Sequence, residues 1–158
     1  MASENTKVRP WTWTPPPAMN QLMFILLRLP VVHRVISKAI LLISFTGQKS
    51  GKRYSTPVGY LQEGNNVIIL TKRFRQWWHN FEQPAPVEMR IKGRDYQGQA
   101  TALTDVETMI PLIVLIVQVH RPEAEIYGIK LLDNGKPDIN SVQEIAPKLV
   151  VIQVEMKP

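Results

Sequence analysis

The stretch ILLISFTGQKSGKRYSTP, Ile40 to Pro57, is where the period of the chain changes, and the rest is read outward from it. Ile40 to Phe45 is a continuous β-branched and apolar run, consistent with a fully buried strand. Gly47 and Gly51 punctuate the turn that follows, free to take positive φ. Thr56 to Gln62 and Val67 to Thr71 then flank Glu63-Gly64-Asn65-Asn66, a strong hairpin signal. Val87, Met89 and Ile91 alternate with Glu88, Arg90 and Lys92. After Gly93-Arg94-Asp95, the residues Tyr96, Gly98, Ala100 and Ala102 alternate with polar ones, predicting a second hairpin with one solvated face. Leu149 to Met156 closes the chain as a strand, with Val150, Ile152 and Val154 on one face.

Helices surround these strands. Residues 1–18 hold Pro10, Pro15, Pro16 and Pro17 with Trp11 and Trp13, a density of prolines that predicts an extended arm. Its tryptophans are suited to tie it to the body or to a second subunit, which makes the arm a candidate homodimer contact. Asn20 to Leu29 reads as a helix ended by Pro30, and Val31 to Ala39 resumes helical spacing. Phe74 to Phe81 is a short aromatic helix or loop. Asp105 caps a helix to about Val119, Pro122 stops its continuation, and residues 133–138 form a turn-rich loop. Six strands joined mostly by tight turns, with two sizeable helices, predict a mainly β fold: a small antiparallel barrel with flanking helices. The 158 residues make one domain, which we place at 19–158.

The chain has no cysteine, which excludes a disulfide scaffold, thiolate metal sites and cysteine nucleophiles, and suits a reducing, cytoplasmic compartment. Charge is unevenly placed. Nineteen Lys and Arg against 13 Asp and Glu give a net +6, and nine basic side chains but only Glu63 as an acid lie between Arg28 and Arg75. Such an excess suits nucleic acid, phospholipid headgroups or a phosphorylated small molecule. No nucleic-acid-binding motif accompanies the charge, so nucleic acid is the weakest of the three. The apolar stretch Leu22 to Phe45 is interrupted by Arg28, Pro30, His33, Arg34 and Lys38, and Ile110 to Val119 is too short to span a bilayer. A soluble protein is expected, with residues 19–38 as the candidate for peripheral membrane contact.

The turn itself carries the chemistry. Backbone N–H groups of a glycine-bearing turn, with Lys and Ser side chains, form a natural phosphate nest. It is not a P-loop, because only three residues separate Gly47 from Gly51. An exposed hairpin loop solvated by its lysines would read the same on local composition.

Thr-Gly-x-Lys-Ser-Gly after an apolar strand, then Thr-Pro-Val-Gly-Tyr, Thr-Lys and Trp-Trp-His-Asn-Phe, resembles the deazaflavin (F420)-dependent nitroreductase family from about Leu22 to Glu155. The resemblance implies a split β-barrel related to flavin-binding reductases and an F420H2-dependent reductase passing hydride to a planar acceptor, such as a quinone or a nitroaromatic. It implies that Lys49, Ser50 and Gly51 hold the cofactor phosphate, with Gly47 shaping the turn. Lys52 and Arg53 would attract the anionic tail. Thr56, Pro57 and Val58 would lie along the ring, Thr71 and Lys72 beside the ring or its chain, and Trp77 and Asn80 would close the pocket. Two departures stand out. The usual Lys-Ser-Gly-x-Pro-Arg becomes Lys-Ser-Gly-Lys-Arg-Tyr, and the Gly-rich loop after Thr-Lys becomes Arg73-Phe74-Arg75-Gln76.

In such an enzyme hydride chemistry comes from the cofactor, and the protein supplies position and electrostatics. A proton donor would be a reachable hydroxyl or imidazole; His79, Tyr60 and Tyr127 are the candidates. An FMN-binding or non-catalytic flavin-binding relative is the alternative, and a module binding membranes through its basic face is a third.

Overall fold

A computed structural model describes residues 16–26 and 38–158. Most of the arm, and the helical spacing expected between Val31 and Ser37, lie outside the described residues. Helix α1 spans Pro17–Leu26, so it begins inside the expected 1–18 arm and before the expected Asn20 start, because proline fits the first turn of a helix. The strands are β1 (Ile40–Thr46), β2 (Arg53–Gly59), β3 (Leu61–Glu63), β4 (Asn66–Lys72), β5 (Ala85–Ile91), β6 (Arg94–Leu103) and β7 (Leu149–Met156). A 3-10 turn covers Trp77–Phe81, and helices α2 (Val106–Val119), α3 (Pro122–Tyr127) and α4 (Ile139–Ile145) lie between β6 and β7.

All strand pairs are antiparallel, in the order β2-β1-β5-β6-β7-β4-β3. The two outermost strands, β2 and β3, are consecutive in sequence and separated only by Tyr60. One bent segment therefore supplies both edges, and the sheet must curl back on itself. That is the expected split barrel.

Strand alternation builds two cores. Leu41, Ile43 and Phe45 of β1, Val67 and Ile69 of β4, Val87, Met89 and Ile91 of β5, and Val150, Ile152 and Val154 of β7 fill the barrel, closed by Trp78 and Phe81. The opposite faces of β4 and β7 offer Ile68, Leu70, Leu149 and Val151 to Met109, Ile113, Ile116 and Val117 of α2 and to Tyr127 and Val142 of α3 and α4. Helix α2 starts where the sequence places it, with the Asp105 carboxylate accepting from the Thr108 N–H at 2.9 Å.

Three local expectations change. The strand expected from Thr56 begins at Arg53, because the turn is tight enough to pair Arg53 with Thr46. Tyr60 divides the expected Thr56–Gln62 strand into β2 and β3. Pro122 ends the path of α2 but sits at the first turn of α3, where its missing N–H costs nothing. Helix α4 was not expected; the Asp138 side chain caps it by accepting from the Asn140 N–H at 3.1 Å.

Candidate functional site

Strand β4 pairs with β7 along its whole length but with β3 only from Asn66 to Ile68. Strand β2 pairs with β1 throughout and, among the described residues, with nothing on its other side. From Tyr60 towards Arg53, β2 diverges from β4, leaving two facing edges with a split between them. The Thr56–Val58 edge lies on one side of it and the Leu70–Lys72 edge on the other. The residues expected along a flat ring are thus brought to one opening, although they are far apart in sequence. Register separates their side chains: Thr56 and Val58 share the barrel-facing side with Ile43 and Leu41, whereas Pro57 pairs with Leu42 on the outside. A ring lying along β2 meets backbone there more than side chains.

The edges are not equally covered. The Tyr127 hydroxyl donates to the Leu70 carbonyl at 2.6 Å, capping part of the open β4 edge. Burial, with the Glu123 carboxyl next, pushes the Tyr127 phenol pKa up. Thr71 Oγ1 is buried, on a side chain 2% exposed, with no hydrogen-bond partner. Lys72 is 7% exposed, and burial, followed by repulsion from Arg75, holds its ammonium below the ordinary lysine range. An unpartnered hydroxyl and a desolvated cation at the edge of an opening suit a polar or anionic ligand.

At the far end of β2 the Gly47–Lys52 turn is held tightly. The Gly47 N–H donates to the Lys52 carbonyl at 2.8 Å and the Gly51 N–H to the Gly47 carbonyl at 2.9 Å. Gly51 has φ of 66°, the left-handed region that favours glycine. A Cβ on Gly47 would stand 2.6 Å from Ser50 Oγ and 2.7 Å from the Tyr54 ring, so glycine is needed there for close approach. Ser50 Oγ also meets the Tyr54 hydroxyl at 3.0 Å, and the Lys52 N–H donates to it at 3.2 Å. Tyr54, in place of the family's arginine, braces the turn from below and packs 5.8 Å from the Phe45 ring.

Asn80 is a clasp for this turn. Its Oδ1 accepts from the Gln48 N–H at 2.9 Å, its carbonyl accepts from Gln48 Nε2 at 2.8 Å, and its Nδ2 donates to the Trp77 carbonyl at 2.8 Å. Trp77 is half-buried, packing 6.1 Å from Phe45 and 5.9 Å from Phe81. Trp78 is buried, with its Nε1–H donating to the Arg73 carbonyl. Of the two tryptophans, Trp77 is the one left to face a ligand.

The cations divide. Arg53 forms a bidentate pair with Glu88 on β5, which raises the arginine pKa and lowers that of the carboxyl. Lys49 and Lys52 are exposed, and their side chains have no partner among the described residues. Two free ammonium groups on a rigid glycine turn, at the mouth of a split, fit a phosphate.

Of the expected proton donors, Tyr60 is buried in the barrel core at 5% exposure, and Tyr127 is committed to Leu70. Desolvation, with Tyr96 next, raises the Tyr60 pKa. The His79 ring stacks 3.7 Å from Trp78 while its Nδ1 meets Glu82 Oε1. Sequence reading missed Glu123. Its carboxyl lies against Gly59, 2.5 Å from where a Cβ there would stand, at the head of the split. Burial raises its pKa from 4.5 to about 7. The residue follows a helix-starting proline and looks like an ordinary first-turn acid, so only the fold shows what it packs against. Gln48 and Glu88, the partners of Asn80 and Arg53, were missed for the same reason.

Two surface hollows lie away from the split. One of about 190 Å³ is lined by Ser44, Thr46, Arg53, Glu88 and Gln97 on the outer face of β1, β5 and β6. Another of about 320 Å³ is lined by Pro86, Gln99, Glu155 and Lys157. Of the candidate site residues only Arg53 reaches either, and it does so while paired to Glu88.

Comparison with known proteins agrees with this fold. Curated proteins give no match. Among solved structures, one described as an F420-H2 dependent reductase (FDR-A) superposes with a TM-score of 0.51 at 21% identity, covering 75% of this chain and 95% of its own. One described as a domain-swapped dimer gives 0.53 at 18% identity, covering 85% and 93%. HutZ, the heme storage protein from Vibrio cholerae, gives 0.53 at 11% identity, covering 79% and 85%. At those identities the likeness is one of fold. The family model described as F420H(2)-dependent quinone reductase matches residues 26–120, which contain the turn, both edges of the split and the Trp77–Phe81 segment. The chain therefore belongs to the F420H(2)-dependent quinone reductase family, oxidoreductases that take F420 as their cofactor.

Proposed function

We propose that the protein passes hydride from F420H2 to a quinone with the coenzyme lying along the split between β2 and β4. The observation that carries this reading is the convergence of the Thr56–Val58 edge, the Thr71–Lys72 edge and the Lys49 turn on one opening. In it Lys49, Ser50, Gly51 and Lys52 hold the phosphate, with Gly47 permitting the tight turn. Thr71 Oγ1 and the β2 backbone meet the ring's polar edge. Trp77 covers the ring, and Asn80 acts through Gln48 by fixing the turn. Arg53 supports β2 against β5 and is not assigned to the tail. Bound there, the coenzyme supplies the hydride, while the chain orients it and keeps water from it.

Fluorescence titration with F420 tests the site. Lys49→Ala removes a charge-assisted phosphate contact and weakens binding by about 1–3 kcal/mol, roughly tenfold to a hundredfold in Kd. An unchanged affinity would place the phosphate elsewhere. Turnover of F420H2 with menadione tests the reaction, and a nitroaromatic acceptor in the same assay tests breadth. FMN retained through purification in place of F420 would favour the flavin alternative.

The finer expectations belong to the same reading. Among the described residues no helix is long and apolar enough to cross a membrane. Met19, Leu22 and Ile25, spaced along one side of α1, are exposed, which supports contact with the bilayer surface where a lipophilic quinone resides. A cytoplasmic protein pairing as a homodimer through the 1–18 arm, with 19–158 as the single cofactor-binding domain, completes the proposal. Vesicle sedimentation and light scattering check those two contacts.

A further inference from the structure

The half-buried carboxyl of Glu123, at the head of the split, has no partner among the described residues to explain it. The Glu123 carboxyl makes no hydrogen bond or ion pair among the described residues, yet it sits where β2 and β3 bend apart. Three features hold it there. Gly59 has no side chain, and that vacancy is what the carboxyl fills. Pro122 fixes the first turn of α3, so the direction of Glu123 is set by the helix start. Tyr127, four residues on and therefore on the same helix face, is anchored to the open β4 edge through Leu70. Among the described residues the ionisable group beside this carboxyl is Tyr127, on which Arg75 acts in turn. Tyr127 has its proton engaged, and among the described residues no cation pairs with the acid. An unpaired, largely desolvated carboxyl costs stability, and such costs are concentrated at functional sites.

We propose that Glu123 is the proton-exchanging group of the split, giving its proton to the reduced quinone. This rests on the quinone-reductase reading above. Hydride carries two electrons and one proton to the quinone, and a carbonyl oxygen is left as an oxyanion. The Glu123 O–H bond breaks as the O–H bond of that oxygen forms, and hydroquinone results. The carboxylate then takes up the proton released when the dihydrodeazaflavin is oxidised, so atoms and charge balance over one turnover. A carboxyl held protonated near neutrality by its surroundings is suited to that exchange.

The test uses wild-type protein, Glu123→Gln and Gly59→Ala. Carbon-detected NMR of the Glu123 carboxyl in the coenzyme-free protein is expected to titrate near pH 7, and to move when F420 is added. Menadione reduction at saturating F420H2 should fall as pH rises through the same midpoint. Glu123→Gln should lower kcat by about a hundredfold or more and remove that limb, with F420 affinity within about twofold of wild type. In Gly59→Ala the added methyl pushes the carboxyl towards water. Its titration should return to the ordinary glutamate range, with a loss of kcat in the same direction. Wild-type kcat with an unchanged pH profile in Glu123→Gln overturns the inference, as does a carboxyl shift indifferent to F420. Wild-type protein that binds no F420 or reduces no quinone overturns the functional reading, and this inference falls with it.

Discussion

Glu123 also makes a prediction about stability that needs no coenzyme. In the unfolded chain its carboxyl titrates at 4.5, and in the folded protein at about 7. Below pH 4.5 both states are protonated and the folded protein is not penalised. Between the two values the unfolded chain ionises first, so stability falls as pH rises. Above pH 7 both are ionised and the loss is complete. A difference of two to three pH units at about 1.4 kcal/mol each gives a loss of roughly 3 kcal/mol. For a chain of this length that corresponds to a Tm change of about 6–12 °C. Glu123→Gln keeps the shape and removes the titration, so whatever constant offset the amide brings is the same at every pH. Urea unfolding of both proteins at half-unit steps from pH 4 to pH 8.5 isolates the effect as a difference of differences. The gap should be flat below pH 4.5 and grow by about 3 kcal/mol by pH 8. A gap that stays constant to within about 0.5 kcal/mol would show that the carboxyl is solvated in both states, and the account of it as a desolvated acid would be wrong.

The remaining predictions concern the elements around the split. Tyr127→Phe leaves the Leu70 carbonyl without its donor in a buried place and should cost about 1–3 kcal/mol by chemical denaturation; a neutral result would mean water replaces the hydroxyl. Gly47→Ala drives a methyl into Ser50 Oγ and the Tyr54 ring, so F420 affinity should fall at least tenfold while the barrel still unfolds cooperatively. Asn80→Ala unfastens the turn from the 3-10 segment, and hydrogen exchange at Gln48 and Gly51 should quicken along with a severalfold loss of F420 affinity. Because Arg53 is paired to Glu88, Arg53→Ala should change F420 affinity much less than Lys49→Ala, and equal losses would put Arg53 in the coenzyme site.

Periodicity located the strands because it reports burial, which one sequence records residue by residue. β1, β5, β6 and β7 stand close to where alternation and apolar runs put them. The Lys49–Gly51 turn was legible because glycines and cations sit next to each other in the chain. Glu123 was not legible, because its meaning depends on Gly59, 64 positions away, and on a bend that no local pattern encodes. Gln48 looked like a spacer in the motif, and its two bonds to Asn80 exist only once the 3-10 segment folds under the turn. Helix α4 is seven residues long and half exposed, too short for a helical period to emerge. One signal of the split was present and unused. Proline lacks the N–H a central strand needs, so Pro57 within a β-prone run marks an edge.

An open edge is a liability in a barrel, since unpaired backbone groups invite pairing with another chain. This molecule blunts both sides by different means. Pro57 removes a donor from the β2 edge, and Tyr127 occupies an acceptor on the β4 edge. Bending the chain at Gly59–Tyr60, rather than extending the β3–β4 pairing into β2, prevents the simplest remedy of zipping the barrel shut. Thr71 Oγ1 is left over, buried and unpartnered, with Lys72 partly desolvated beside it. The unpartnered Thr71 hydroxyl costs free energy in the coenzyme-free protein, and a flat ring with polar edges would satisfy it on entering. The same reasoning explains why the phosphate-type turn is clasped by Asn80 and Tyr54. Were it mobile, ordering it on binding would consume part of the affinity that Lys49 and Lys52 provide.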